Sequence, residues 1–299
     1  MNRKISFSCG ALQRKYSDKD ALRIAKEIGA DAVDFDLSWY TCDGSMENSI
    51  YLKSDEEIID YFNSIRDYAG EIGIEICQTH GRLNGYNPHD EKLNDVFLKN
   101  SRLDCLATSA LGCRYVVFHT VNSTRFGADT PGELMHKYNY DMFASILPFA
   151  KKYGVRIATE TFGDCAKYNC CDFFGNIHEF LAGYNRVVSE EDFKDYFVTC
   201  ADTGHSNKAM RFGNPTPADV IRMLGSSLKV LHLNDNDTLT DQHKPLFTGT
   251  IDWDDVFAAL DEVGYDGVLN MELNLSCFGK GIEVETAAFA ITCLKNYLK

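Results

Sequence analysis

YGVRIATE, residues 153–160, is the stretch on which the fold turns. A helical pattern runs up to Tyr153, Gly154 stops it, and a short β-prone run ends on Glu160. Glycine just past a helix end accepts the left-handed backbone that terminates it. The run that follows is short and apolar on both faces, as a buried parallel strand must be. The same unit recurs outward in both directions, as IGADAVDFD (28–36), IGIEICQTH (72–80), LGCRYVVFH (111–119), LGSSLKVLHLND (224–235) and VGYDGVLNME (263–272).

This pattern predicts strands over 4–9, 32–36, 74–79, 115–118, 156–160, 197–202, 228–233 and 267–272. The helices between them carry start signals. Ser17 and Ser54 each stand three residues before an acidic residue and lead into apolar-periodic runs. Thr130-Pro131 and Thr216-Pro217 are read as a cap followed by proline at the first helical position, where its missing N–H costs nothing. A last helix is expected near 283–298, and the long insert 161–188 is read as a lid or extra helix over one end. Eight βα units of this length predict one (β/α)8 TIM barrel, a single domain spanning 1–299. The competitor is an open doubly wound sheet. It wants a glycine-rich nucleotide loop after the first strand, and SCGALQRKYS (8–17) has no GxGxxG.

The 299 residues have an ordinary globular composition, 44% hydrophobic and 25% charged. The formal net charge of −14 repels polyanions, and no basic stripe is visible, so nucleic acid is not an expected partner. The N-terminus has no apolar signal core, and no run approaches the length of a membrane span. Eleven cysteines, an odd number without a CxxC pair, read as free thiols of a reducing cytoplasm, although Cys165 and the vicinal Cys170-Cys171 lie close together.

The chemistry sits at the strand ends. Seven of the eight predicted strands finish on or beside a residue able to ligate metal: Asp36, His80, His119, Glu160, Asp202, His232 and Glu272. A lone histidine or glutamate at a strand end is ordinarily a hydrogen-bonded loop residue. In a (β/α)8 barrel, however, all those ends converge on one mouth. Seven such groups crowded together would repel one another and lose hydration, and a cation is the economical way to neutralise them. Glu160, Asp202, His232 and Glu272 form an oxygen-rich set with one imidazole, suited to Mn, Mg or Co, with Zn also compatible. His205, three residues after Asp202, and Asp241-Gln242-His243 add further polar groups at the same mouth. Trp39, Tyr40, Tyr86 and Phe162 fall in the same loops, either to pack on the apolar face of a sugar or simply to cover the barrel end.

The segments IATE (Glu160), ADTGH (Asp202, His205), LHLND (His232) and LNME (Glu272) resemble the xylose-isomerase-like TIM-barrel superfamily across nearly the whole chain. That group contains sugar and sugar phosphate isomerases and epimerases, and also the endonuclease IV enzymes. The resemblance to its ketose 3-epimerases implies one divalent metal held by Glu160, Asp202, His232 and Glu272, with Glu160 and Glu272 as the acid/base pair. It implies a metal-dependent isomerase or epimerase acting on a small carbohydrate, with a possible homo-oligomer. His80, His119, His205, Asp241 and His243 would then bind substrate or support the ligands. The endonuclease IV branch would use all nine of these residues for three zinc ions and hydrolyse a phosphodiester. A dehydratase of the inosose type, which shares the proton abstraction, is the other alternative. One departure is visible: in HKPLFTGTIDW (243–253), Phe247 stands where the family often has glycine.

Overall fold

Eight parallel strands alternate with helices along the chain: β1 (Ile5–Ser8), β2 (Ala32–Asp36), β3 (Glu75–His80), β4 (Tyr115–His119), β5 (Arg156–Glu160), β6 (Phe197–Asp202), β7 (Leu228–His232) and β8 (Leu269–Met271). The computed structural model describes residues 3–83 and 85–299. The strands pair in the order β8-β1-β2-β3-β4-β5-β6-β7. A bridge between Leu233 and Met271 draws the two ends of the sheet together. There the Leu233 N–H donates to Asn270 O at 2.8 Å and the Glu272 N–H to Leu233 O at 3.1 Å. The sheet is thus a nearly closed TIM barrel, wrapped by helices.

Strand parity decides which residues face the lumen, because successive side chains point to opposite sides. Val117, Ala158, Val198, Cys200 and Val230 pack as their own cluster inside the barrel. Their sequence neighbours Val116, Phe118, Ile157, Ala201 and Leu231 join the larger core between strands and helices. Two residues beyond Val117, Ala158, Cys200 and Val230 come His119, Glu160, Asp202 and His232. The apolar layer therefore forms a floor, and the polar residues form the next layer towards the C-terminal mouth.

Helix starts follow the side-chain chemistry. Ser54 makes a reciprocal capping box with Glu57. Ser17 accepts from the Asp20 N–H, but the Asp20 carboxylate takes the Ser17 hydroxyl rather than its backbone. Thr216 caps the helix Pro217–Leu224 with proline at its first position, as expected. At Thr130-Pro131 the expectation fails by one residue. The helix is Gly132–Tyr153, so Pro131 itself is the cap and makes no side-chain bond. Gly154 ends that helix at φ 69°, the left-handed turn read from YGVRIATE.

The segment 161–188 divides differently from the expected insert. Ile177–Val188 is no extra element but the barrel's regular helix between β5 and β6. Only the part before it is additional: an antiparallel hairpin of Asp164–Cys165 against Cys170–Cys171 and a short turn at Phe173–Gly175. All eleven cysteines are free. Among the described residues no helix is long and apolar enough to cross a membrane.

Candidate metal centre

Register brings the strand-end residues side by side. Asp36 pairs with His80 across β2 and β3, His119 with Glu160 across β4 and β5, and Asp202 with His232 across β6 and β7. Glu272 lies one residue past β8, held by its backbone bond to Leu233. Donor atoms of Glu160, Asp202, His232 and Glu272 all lie within 4.8 Å of one another. Ligands sharing a cation at about 2.0–2.2 Å must stand within roughly 4.4 Å of each other, so small side-chain adjustments bring this set onto one ion.

The centre is buried and charged. Glu160 and His232 are fully buried. Glu160 Oε1 lies 3.1 Å from His232 Nδ1 and 3.3 Å from His205 Nδ1, and its Oε2 lies 3.0 Å from His119 Nε2 and 3.6 Å from His80 Nε2. Neither Glu160 oxygen and neither His232 nitrogen has a well-formed hydrogen-bond partner. A buried carboxylate without such partners is costly. Unsatisfied oxygens and nitrogens converging on one point are the donor set a divalent cation requires, and these residues fit one.

The electrostatics agree. Burial opposes ionisation of Glu160, yet His232 and His119 hold it well below the usual carboxylate range. Burial pushes Asp202 up to about 6, reinforced by the Glu160 charge against the pull of His205. Burial works against a charge on His80, but Glu160 and Glu272 outweigh it and raise the imidazole to about 9. His205 and His232 are likewise raised well above their ordinary value against burial, the former by Asp202 and Asp241, the latter by Cys200, Glu272 and Glu160. In His119 burial prevails and lowers the value. A cation competes with protons for such imidazoles.

A second group stands beside the first. Donor atoms of His205, Asp241 and His243 also come within 4.8 Å of one another. Asp241 Oδ2 is 3.6 Å from His205 Nε2 and 3.3 Å from His243 Nε2. His80, Glu160 and His232 form a third such group. The buried Lys208 ammonium lies 2.7 Å from Asp164 and 3.5 Å from Asp241, so a positive charge already faces the second group.

All nine residues singled out in the sequence therefore lie in one region. Asp36, the remaining strand-end residue, does not join them; it turns to Arg14, with 2.6 Å between the charged atoms. One contributor escaped sequence reading, Asp34, while the run NDND (234–237) past β7, legible in the sequence as polar groups of the same mouth, supplies others. Asp34, fully buried, stands 3.5 Å from His232 Nε2 and accepts from the Ser8 hydroxyl at 2.7 Å. Asn234 Nδ2 donates to Asp202 Oδ2 at 2.8 Å. Strand parity is the signal that finds Asp34, two residues before Asp36 on the same face. Asp235 and Asn236 act as scaffold: Asp235 accepts from Trp253 Nε1 at 2.9 Å, and Asn236 Nδ2 donates to Gly204 O at 2.8 Å. The loop aromatics split. Tyr40 and Tyr86 are buried in the core. Trp39 packs on Tyr40, with ring centroids 4.4 Å apart. Phe162 stands over the histidines, its ring 5.3 Å from His205 and 5.6 Å from His119.

A cavity of about 270 Å³ opens beside the centre, lined among others by Arg14, Asp36, His80, His243, Glu272 and Asn274. Two larger cavities lie around Arg3, Lys4 and Glu75, at the opposite end of the strands. Catalytic groups of this fold converge at the C-terminal face, so the smaller cavity is the one that meets the chemistry.

Known proteins share this architecture. At the sequence level the chain is 26% identical over 218 residues to an uncharacterised protein of Methanocaldococcus jannaschii, covering 72% of this chain and 68% of that one. Among solved structures, a D-tagatose 3-epimerase-like protein superposes with TM-score 0.72 at 21% identity, covering 99% of this chain and 97% of the other. D-psicose 3-epimerase from Clostridium cellulolyticum H10, solved with D-tagatose, gives TM-score 0.71 at 14% identity over 99% of each chain. The IOLI protein, whose structure holds a zinc atom, gives 0.69 at 21% identity over 98% and 95%. The family model described as xylose isomerase-like TIM barrel matches residues 21–296. With nearly the whole chain matched, the protein belongs to the xylose isomerase-like TIM barrel family.

Proposed function

We propose that this protein is a divalent-metal-dependent isomerase or epimerase of a sugar or related polyol, acting by proton abstraction beside a carbonyl. The observation that carries the reading is the meeting of Glu160 and Glu272 with Asp202 and His232 around one buried point. The solved structures of similar fold that are named as sugar epimerases support it.

In this reading Glu160, Asp202, His232 and Glu272 hold the cation, with Mn, Mg, Co and Zn all compatible with the donor set. Bound there, the metal supplies Lewis-acid polarisation of substrate oxygens. The chain's own groups do the proton work. One glutamate takes the proton from the carbon beside the carbonyl, and the C–H electron pair moves into an enediolate. The other glutamate returns a proton from the opposite face, so the carbon inverts. Glu272 lines the open cavity, whereas Glu160 sits deeper, where His119 at 3.0 Å is placed to exchange protons with it. His205, raised well above its ordinary value, donates towards developing oxyanion charge. Buried Asn234 holds Asp202 in place through its hydrogen bond, and buried Asp34 faces His232 Nε2 at 3.5 Å.

The groups around His205-Asp241-His243 and His80 favour a second reading, a three-zinc phosphodiesterase. Against it stand Lys208, whose ammonium opposes a cation beside Asp241, and the net charge of −14, which opposes a polyanionic substrate. Elemental analysis of purified protein, with ketoses and inososes incubated in deuterated water, separates the two. About one metal per chain and solvent deuterium at the inverted carbon are expected. Three zinc ions with phosphodiester hydrolysis would overturn the proposal. Glu160→Ala and Glu272→Ala should each lose metal and turnover; full metal occupancy in both would refute the ligand assignment.

A further inference from the structure

Resting on the isomerase reading, we infer that Arg14 and Asp36 form the specificity element of the site, and that they select an uncharged polyhydroxy ketone over its phosphate. Neither residue belongs to the metal centre. They come from the segments after β1 and at the end of β2, and both line the cavity next to Glu272. Arg14 NH1 lies 2.6 Å from Asp36 Oδ2. Asp36 Oδ1 accepts from the Ser38 N–H at 2.8 Å, which fixes the carboxylate in the wall. Gly10 permits this placement, because a Cβ there would overlap the Asp36 carboxylate.

The pair presents guanidinium donors and carboxylate acceptors side by side while summing to no net charge. A hydroxyl, which both donates and accepts, uses both halves. A phosphate only accepts and carries negative charge, so it would gain Arg14 at the expense of facing Asp36. It would also share about 270 Å³ with Glu272. Among the described residues lining this cavity, Arg14 is the one permanent cation, and it is already matched. The two lining imidazoles are likewise engaged by carboxylates: His80 lies 3.6 Å from Glu160, and His243 lies 3.3 Å from Asp241. Ser8, Ser38 and Asn274 complete a wall of neutral hydrogen-bonding groups. The volume suits one monosaccharide or cyclitol.

The test uses the Mn-loaded full chain and a panel of ketopentoses, ketohexoses and cyclitol ketones, each free and as its phosphate. Binding is read by calorimetry alongside steady-state kinetics. The free compounds should bind at least about tenfold more tightly than their phosphates. Arg14→Met, at a half-exposed position where folding is not at stake, should raise KM for the preferred compound about tenfold with kcat within about threefold. Asp36→Asn should release Arg14 and narrow or reverse the discrimination against phosphate. Tighter binding of the phosphates by wild type, or unchanged KM and discrimination in both variants, overturns the inference and leaves the isomerase reading standing. Binding of neither form by the metal-loaded protein overturns both.

Discussion

At the residue scale, three of the four non-glycine residues with positive φ among those described fall in one loop, the fourth being Asn169 in the hairpin after β5. Thr238, His243 and Phe247 all have positive φ, at 70°, 44° and 70°. Such a conformation costs a non-glycine residue about 1–2 kcal/mol and persists only where the surroundings impose it. At His243 the imidazole is held between Asp241 and the Glu272 carbonyl, the latter 3.1 Å from its Nδ1. Phe247 occupies the position where the sequence departs from the family's glycine, and it retains a glycine-like backbone. Its ring offsets the strain by packing on Tyr297 and Trp253, with centroids 5.0 and 5.8 Å away. This predicts an inverted substitution order. Phe247→Ala loses the ring and keeps the strain, a loss of about 1–2 kcal/mol. Phe247→Gly loses the ring but relieves the strain, and should lie about 1 kcal/mol above the alanine variant. Urea unfolding decides it; an alanine variant as stable as the glycine one would show that φ at 247 carries no strain.

At the scale of elements, the turn from β6 into the helix Thr203–Ala209 and the loop after β7 interlock. Asp202 caps that helix by accepting from the His205 N–H at 2.6 Å, so one carboxylate both starts a helix and faces the centre. Gly204 lies against the Asn234 side chain, and a Cβ there would overlap Asn234 Oδ1. Because Asn234 also donates to Asp202, pushing it away turns a proposed ligand. Gly204→Ala should cost about 1–3 kcal/mol through overpacking and weaken metal binding as well. Gly70→Ala, at an exposed helical site with open space around it, is the control and should be neutral or stabilising by about 0.5–1 kcal/mol. A Gly204 variant with normal metal affinity would show that Asn234 does not orient Asp202. The helix starts were legible in the sequence wherever a hydroxyl preceded the helix. Pro131 was not, because a Thr-Pro pair is compatible with either position of the proline and only packing chooses.

For the whole molecule, the barrel concentrates negative charge at one buried point. Self-repulsion there opposes folding until a cation or protons answer it. Metal binding should therefore be visible as stability. Saturation at a hundredfold its dissociation constant adds about 2.7 kcal/mol. Chelator-treated protein should melt at a lower temperature than Mn- or Zn-loaded protein, and Glu160→Ala should abolish the difference. Equal melting with and without metal would argue that no cation is held by the folded state.

The repeat of helix, glycine and short strand determined the barrel on its own, because hydrophobic period and left-handed stops are local properties of the chain. Local too was the polar residue closing seven of the eight strands, which with the known convergence of such barrels marked six residues of the candidate site, while His205, Asp241 and His243 were legible in the segments that follow those strands. What only the tertiary structure decided was relation. Asp36 faces Arg14 and leaves the centre, Asp34 faces His232 from one layer below, and Lys208 reaches Asp241 from the helix Thr203–Ala209. Two of the aromatics expected at the mouth, Tyr40 and Tyr86, are spent in the core. Such contacts join residues far apart in the chain, and they depend on distances of a few ångströms that no local pattern encodes.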